Sequence, residues 1–265
     1  MMISIRNLYK TFNPGTINEN RLFRDFSLDI QPGEFITIIG SNGAGKSTLL
    51  NLITGLTQAD AGSILLEGKD IVRLPEYKRT RFIGRVFQNP SLGTSPSMTI
   101  LENLSVASNK GKSFGLGFGV SRKNIPHFRE MLAELNLGLE DKLNTKVGLL
   151  SGGQRQSLTL LMATMSNPAM LLLDEHTAAL DPKTSQRIIA LTEKIIGEKK
   201  ITTLMVTHNL HQAITMGNRL VMMHRGKIVT DLSGEEKKSL TIDKLLTYFD
   251  AQNVKDDLSD RMLFS

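Results

Sequence analysis

The stretch from Gly40 to Thr48, GSNGAGKST, constrains this chain more than any other. Phe35-Ile36-Thr37-Ile38-Ile39 precedes it, a run β-branched enough to predict a buried parallel strand. A helix-permissive run from Ser47 to Thr54 follows. Strand, glycine loop and helix form the context in which the spacing G-x-x-x-x-G-K-[ST] makes a phosphate cradle. Gly43 and Gly45 let backbone N–H groups turn onto phosphate oxygens, and the helix N-terminus adds partial positive charge. Lys46 then reaches the β- and γ-phosphates, and the Ser47 hydroxyl is suited to ligate Mg²⁺. The fold class expected of such a chain is α/β.

Composition sets outer limits and decides little else. At 265 residues there is room for one large α/β domain or two small ones. The hydrophobic share of 40% and charged share of 22% are those of an ordinary globular protein. No apolar run approaches the roughly 18 residues that a membrane span requires. The opening MMISIRNLYK has neither a long apolar core nor a small-residue cleavage site, so no signal peptide is expected. The absence of cysteine excludes disulfides and thiolate metal sites and is compatible with the cytoplasm. Net charge is +6, which suits nucleic acid, an anionic membrane surface or nucleotide phosphates equally. With aromatic content at 5% and no tryptophan there is little material for base stacking, and no nucleic-acid partner is expected.

Along the chain, Ile3, Ile5 and Leu8 predict one strand and Phe26, Leu28 and Ile30 another, with the turn-rich NPGTINEN between them. Ser63 to Leu66 and Arg85-Val86-Phe87 read as short strands. Strand signal then fades from about Pro90 to Asn167, where Ile125, Phe128, Met131, Leu132 and Leu135 recur at helical spacing. Within this stretch KGKSFGLGFGVSRK (110–123) reads as an exposed basic loop, a solvated connection first and a contact for lipid head groups or a partner second. Strand patterning returns at Met170 to Leu173 and Thr203 to Val206, with a helix from Pro182 to Lys194 between. Leu220 to Met223 and Lys227 to Val229 predict a hairpin around Arg225-Gly226, and Thr241 to Phe249 a last amphipathic helix.

Two further motifs carry chemistry. Leu171-Leu172-Leu173 is a buried strand that delivers Asp174 at its carboxyl end, where a hard oxygen ligand suits Mg²⁺. Glu175 points elsewhere, because strand residues alternate, and is placed to polarise an attacking water. Leu150-Ser151-Gly152-Gly153-Gln154 opens a predicted helix with Ser151 as N-cap; a hydroxyl and two glycines at a helix start make a second anion site.

In this order GSNGAGKST, LSGGQ, LLLDE and AALD resemble the ATP-binding cassette (ABC) family of transporter ATPases, over roughly Ile3 to Asp231. LLLDEHTAALDP with MVTHN resembles, more narrowly, cassettes of bacterial importers that work with a binding protein and a separate permease. The resemblance implies a P-loop NTPase core with a mixed sheet, an N-terminal antiparallel β subdomain and a helical insert. It divides the chain into an ATP-binding core (1–89 and 168–232), a helical signature subdomain (90–167) and a C-terminal helix and tail (233–265).

The same resemblance assigns roles by position. Gly40, Ser41, Asn42, Gly43, Ala44, Gly45, Lys46, Ser47 and Thr48 match the Walker A motif that binds ATP, and Asp174 ends Walker B. Glu175 matches the catalytic glutamate, and Ser151, Gly152, Gly153 and Gln154 the signature that meets ATP bound to the opposite subunit. Gln88 matches the glutamine that senses Mg²⁺, Asp181 the loop that crosses the dimer interface, and His208 the switch histidine at the γ-phosphate. Phe12 fits the aromatic that stacks on adenine, with Tyr9 as its competitor. His176 stands where many cassettes have proline; a histidine there either tunes or pairs with Glu175, or is neutral variation.

Implied cofactors are ATP and Mg²⁺. Implied partners are a second copy of the chain, integral-membrane permease subunits and an extracytoplasmic binding protein, at the cytoplasmic face of the membrane. The function implied is an ATPase powering import of a small organic solute such as an amino acid. An exporter ATPase and a soluble cassette of iron–sulfur assembly are the alternatives.

Overall fold

In the computed structural model, which describes residues 1–112 and 119–251, the chain opens with strands β1 (Ile3–Phe12), β2 (Asn20–Ile30) and β3 (Phe35–Gly40). Helix α1 (Lys46–Thr54), strands β4 (Ala61–Leu66) and β5 (Lys69–Asp70), the short helix α2 (Glu76–Arg79) and strand β6 (Ile83–Val86) follow. Then come helices α3 (Ile100–Ser108), α4 (Ile125–Ala133) and α5 (Gly152–Thr164), strand β7 (Met170–Asp174), helix α6 (Pro182–Lys199) and strand β8 (Thr202–Val206). Helix α7 (Leu210–Thr215), the hairpin β9 (Arg219–His224) and β10 (Lys227–Ser233), and helices α8 (Gly234–Lys238) and α9 (Ile242–Ala251) complete the described chain.

Two compact units result. One joins Met1–Arg79 to the chain from Ile201 onward, and the other is Thr80–Lys200. In the first, β2, β1, β4 and β5 make an antiparallel sheet in that order, with Ile3 opposite Ile30 and Ile5 opposite Leu28. The same unit holds the strand order β10, β9, β3, β8. There β3 runs parallel to both neighbours, Ile38 facing Val206 on β8 and Val221 on β9, while β10 returns antiparallel. Every residue of β3 is buried, which is why its sequence is a continuous apolar run rather than an alternation. Ile39, Leu220, Met222, Leu245 and Phe249 pack together in one apolar cluster, so α9 is anchored by its buried face.

In the second unit β6 and β7 pair in parallel, Ile83 opposite Met170 and Val86 opposite Leu173. The strand expected at residues 85–87 starts two residues earlier, at Ile83, and ends at Val86, leaving Phe87 in the connection that follows. Helices α3, α4 and α5 contribute to an apolar cluster containing Leu104, Phe128, Leu132 and Leu158. The periodicity at 125–137 gives a helix only to Ala133; the chain then turns, with Asn136 at φ 53°. Helix α6 runs beyond Lys194 to Lys199 because nothing breaks it before Lys200 turns left-handed. Helix α3, which apolar periodicity did not reveal, starts with a reciprocal cap: Thr99 Oγ1 accepts from the Glu102 amide and the Glu102 carboxylate accepts from Thr99 N–H. Of the basic loop 110–123, residues 113–118 lie outside the described residues. Lys110 turns inward there, donating to the Ile83 carbonyl at 3.3 Å. Among the described residues no helix is long and apolar enough to cross a membrane.

Candidate functional site

The phosphate loop grows directly out of β3. Gly40 closes the strand at φ 150°, and a Cβ there would lie 2.1 Å from the Met223 carbonyl oxygen, so only glycine fits. Lys46 is buried, and its Nζ donates to the carbonyls of Gly40 at 2.6 Å and Ser41 at 2.9 Å. The ammonium is thus held over the loop by the loop's own backbone. Helix α1 begins at Lys46 with Gly45 as its N-cap, left-handed at φ 102° and with no side chain capping the first turn. A helix start left in this way offers backbone N–H groups and the positive end of its dipole to an anion, which fits a nucleotide phosphate. Asn42, Gly43 and Ser47 are exposed, Thr48 is half-buried, and Ser41, Ala44 and Gly45 are buried.

The β9–β10 turn braces this loop from below. Gly226 N–H donates to the Ala44 carbonyl at 3.0 Å, and His224 Nδ1 lies 3.5 Å from Ser41 Oγ. His208 follows β8, whose register with β3 carries on through the bond from Thr207 N–H to the Ile38 carbonyl at 3.1 Å. His208 therefore stands at the same carboxyl edge from which the phosphate loop leaves β3. It sits on a turn held on both sides: Thr207 Oγ1 accepts from Asn209 N–H, and Asn209 caps α7 by accepting from Gln212 N–H at 2.8 Å. Phe12 is the last residue of β1, half-buried, with Lys10 Nζ 5.5 Å from its ring centre; Tyr9 is the more exposed of the two, at 42%.

In the Thr80–Lys200 unit, Asp174 ends β7 and Glu175 turns the chain at φ 45°. Asp174 Oδ2 accepts from Arg85 at 2.9 Å, and Gln88 Nε2 donates to Glu175 Oε2 at 3.2 Å. His176 does not join them. It is 2% exposed, its Nε2 lies 3.1 Å from Thr192 Oγ1 on α6, and burial pushes its pKa down to about 4. The histidine is a neutral packing group, and its hydrogen bond goes to Thr192 and not to Glu175.

Ser151 caps α5 with a reciprocal box: its Oγ accepts from Gln154 N–H at 3.3 Å, and the Gln154 side-chain oxygen accepts from Ser151 N–H at 3.1 Å. Gly152 and Gly153 rest against Leu180 and Thr184, so the start of α5 lies on the start of α6. There Asp181 is the cap, accepting from Thr184 N–H at 3.0 Å; the hydrogen bonds from Thr184 hold its carboxyl below the usual range. One turn into α5, Gln156 donates to the Phe87 carbonyl at 3.2 Å and Arg155 to Ser91 Oγ at 3.2 Å. The signature helix thereby holds both sides of the segment that carries Gln88.

Sequence reasoning missed three of these supporting residues. Gln156 and Arg85 are polar residues in elements read for their apolar pattern, so only their spacing on one face could have flagged them. Arg79 gave no signal at all. Its guanidinium, almost fully buried, donates to the carbonyls of Leu52 and Ile53 at the end of α1 and to those of Val72 and Leu74. A cation at a helix C-terminus opposes the negative end of the dipole, so Arg79 stabilises the helix that begins at the phosphate loop.

Among the described residues no cluster of three or more His, Asp or Glu side chains could hold a metal by itself. Hard oxygens are present in each unit taken by itself: the exposed Ser47 hydroxyl beside the phosphate loop in the first, and the Gln88 amide and Asp174 carboxylate in the second. Hard and few, such donors fit Mg²⁺, which keeps waters and substrate phosphates as ligands and seldom takes an all-protein cage.

Comparison with known proteins identifies the family. The ABC transporter family profile matches residues 23–178. The tyrosine transport ATP-binding protein of Clostridioides difficile is 52% identical over 251 residues, 94% of this chain and 99% of that protein. The spermidine/putrescine import ATP-binding protein PotA of Haemophilus influenzae is 36% identical over 239 residues, 89% of this chain and 59% of its own length. A solved dimeric, post-hydrolysis ATP-binding cassette holding ADP and Pi superposes with a TM-score of 0.74 at 30% identity, covering 88% of this chain and 98% of that one. A glycine-rich loop opening a helix, an Asp-Glu pair at a strand end and a second glycine-rich helix start thus stand in a chain that belongs to the ABC transporter family, as one of its ATP-hydrolysing cassettes.

Proposed function

We propose that this cassette powers the import of a small organic solute, an amino acid with tyrosine as the first candidate, through a separate membrane permease. The observation that carries the cargo is the 52% identity to a tyrosine transport ATP-binding protein over nearly the whole of both chains. The subunit works as a homodimer on the cytoplasmic face of the membrane, with an extracytoplasmic binding protein delivering the solute. Its ATP-binding core is 1–89 with 168–232, its helical signature subdomain 90–167, and its C-terminal helix and tail 233–265.

In this reading the amides from Ser41 to Thr48 and the Lys46 ammonium bind the phosphates of ATP, with Phe12 against the adenine. Ser47, Asp174 and Gln88 hold Mg²⁺, which when bound neutralises charge on the phosphates. Glu175 takes the proton of the attacking water, and His208 donates to the γ-phosphate. Donors aimed at charge that develops during phosphoryl transfer are worth most in a closed, dry site. Ser151, Gly152, Gly153 and Gln154 of the second copy close that site, with Asp181 at the interface. The dimeric cassette of similar fold supports this arrangement.

Two measurements test it. With ATP and Mg²⁺ the Glu175→Gln chain is expected to run as a stable dimer by light scattering; a monomer at saturating nucleotide removes the shared clamp. Cells lacking the chain should lose uptake of labelled tyrosine and regain it with the wild-type chain but not with Lys46→Ala. Undiminished tyrosine uptake in the deletion strain overturns the cargo and leaves the ATPase intact.

A further inference from the structure

Arg85 is the charged residue of β6, whose sequence is Ile-Gly-Arg-Val. The parallel register places it opposite Leu172 on β7. Asp174, two residues further along, projects from the same face as Leu172, because strand side chains alternate with a period of two. The result is a pair with Nη2 2.9 Å from Asp174 Oδ2, the two side chains only 10% and 13% exposed. Phe87, in the connection just after β6, puts its ring centre 4.5 Å from the guanidinium carbon. Two residues on from Val86, Gln88 reaches Glu175. Both acids of the Asp-Glu pair are therefore held by the four residues that end β6 and leave it.

We propose that Arg85 is a positioning residue that competes with the divalent cation for the Asp174 carboxylate, so that the cation is held only while nucleotide phosphates share its coordination. This rests on the reading of Asp174 as a metal ligand. The guanidinium brings a positive charge to within a hydrogen bond of the Asp174 carboxylate. In a site this sheltered, opposite charges a hydrogen bond apart attract strongly, and a second cation on the same carboxylate is repelled by the first. The carboxylate alone then binds a divalent ion weakly. Phosphate oxygens supply the remaining charge, and when they leave, the guanidinium reclaims Asp174 and expels the ion. Arg85 thus couples metal retention to nucleotide occupancy, a task for which no other residue of β6 carries charge.

The test titrates Mn²⁺ into the full chain, with ADP and without nucleotide, following free Mn²⁺ by its electron paramagnetic resonance signal. Arg85→Met should bind Mn²⁺ about three- to ten-fold more tightly than wild type, with the larger gain in the absence of nucleotide, as removal of one nearby positive charge implies. Arg85→Lys, which keeps the charge, should stay within about two-fold of wild type on the same reasoning. Unchanged or weaker binding in Arg85→Met overturns the proposal; should that variant not fold, Arg85→Gln keeps a hydrogen bond without the charge and carries the same expectation. Asp174→Asn separates the two readings. If it binds Mn²⁺ like wild type, Asp174 is no ligand and both fail; if it loses Mn²⁺ while Arg85→Met is unchanged, only the role of Arg85 falls.

Discussion

Two helices of this chain start on glycine and serine, and they start differently. Helix α1 is entered through Gly45, left-handed and without a capping side chain, so its first turn faces outward for a ligand. Helix α5 is entered through Ser151, whose hydroxyl and the Gln154 side chain satisfy each other's backbone groups. The first is a cradle that owes its shape to the backbone and its charge to Lys46. The second caps itself, while the Ser151 hydroxyl hydrogen remains available to an incoming acceptor. Similar composition therefore does two jobs, and what separates them is whether a side chain has already taken the helix's amides.

The sharpest way to break this contrast is to remove the cradle's charge. Lys46→Ala should lower steady-state ATP hydrolysis by about 10³-fold or more, on the scale of losing a preorganised group at the transferring phosphate; undiminished turnover would sink the phosphate-loop assignment. Next in size is the cradle's backbone. Gly40→Ala places a Cβ 2.1 Å from the Met223 oxygen, and urea unfolding should show a loss of about 3 kcal/mol or more. A loss under about 1 kcal/mol would mean that the strand end yields easily.

His176 offers a contrast with the half-buried acid beside it. In the folded chain its pKa is about 4 against 6.5 for the ordinary imidazole. Between those values the unfolded chain binds the extra proton, so stability falls as pH drops through that window. His176→Gln should flatten this acid-side slope, which amounts to on the order of 2–3 kcal/mol between pH 7 and pH 4. An unaltered slope in the variant would place the titration elsewhere. The smallest effect belongs to the self-capped start. Ser151→Ala should cost about 1 kcal/mol in urea. Ser151→Asp should recover that stability, since aspartate caps equally well, but not the hydrolysis rate, since a carboxylate repels the γ-phosphate. Recovery of both would reduce Ser151 to a cap.

How far these features were legible in the sequence follows from how local they are. The buried strand β3, its phosphate loop and the capped start of α5 could be read off because each is closed by neighbours in the chain. Lys46 bonds to carbonyls five and six residues away, and Ser151 to Gln154 three residues away. The β9–β10 hairpin was legible for the same reason. Helix α3 was missed although Thr99 and Glu102 carry a capping signature, because its apolar stripe is brief. The start of β6 was misplaced by two residues and its end by one, because a parallel strand runs as far as its pairing with its partner and not as far as its own pattern.

By itself the sequence determined the motifs on offer: a glycine-rich loop opening a helix, an Asp-Glu pair at a strand end, a second glycine-rich helix start and the family that combines them. Only the tertiary structure decided who holds whom. Asp174 takes Arg85 from 89 positions away, Glu175 takes Gln88 from 87, and Arg79 reaches back to α1 across 26 and 27. It also turned His176 inward to Thr192. The reason is that a strand's pattern states which face a side chain is on, whereas its partner depends on the register with a strand brought alongside by a long crossover.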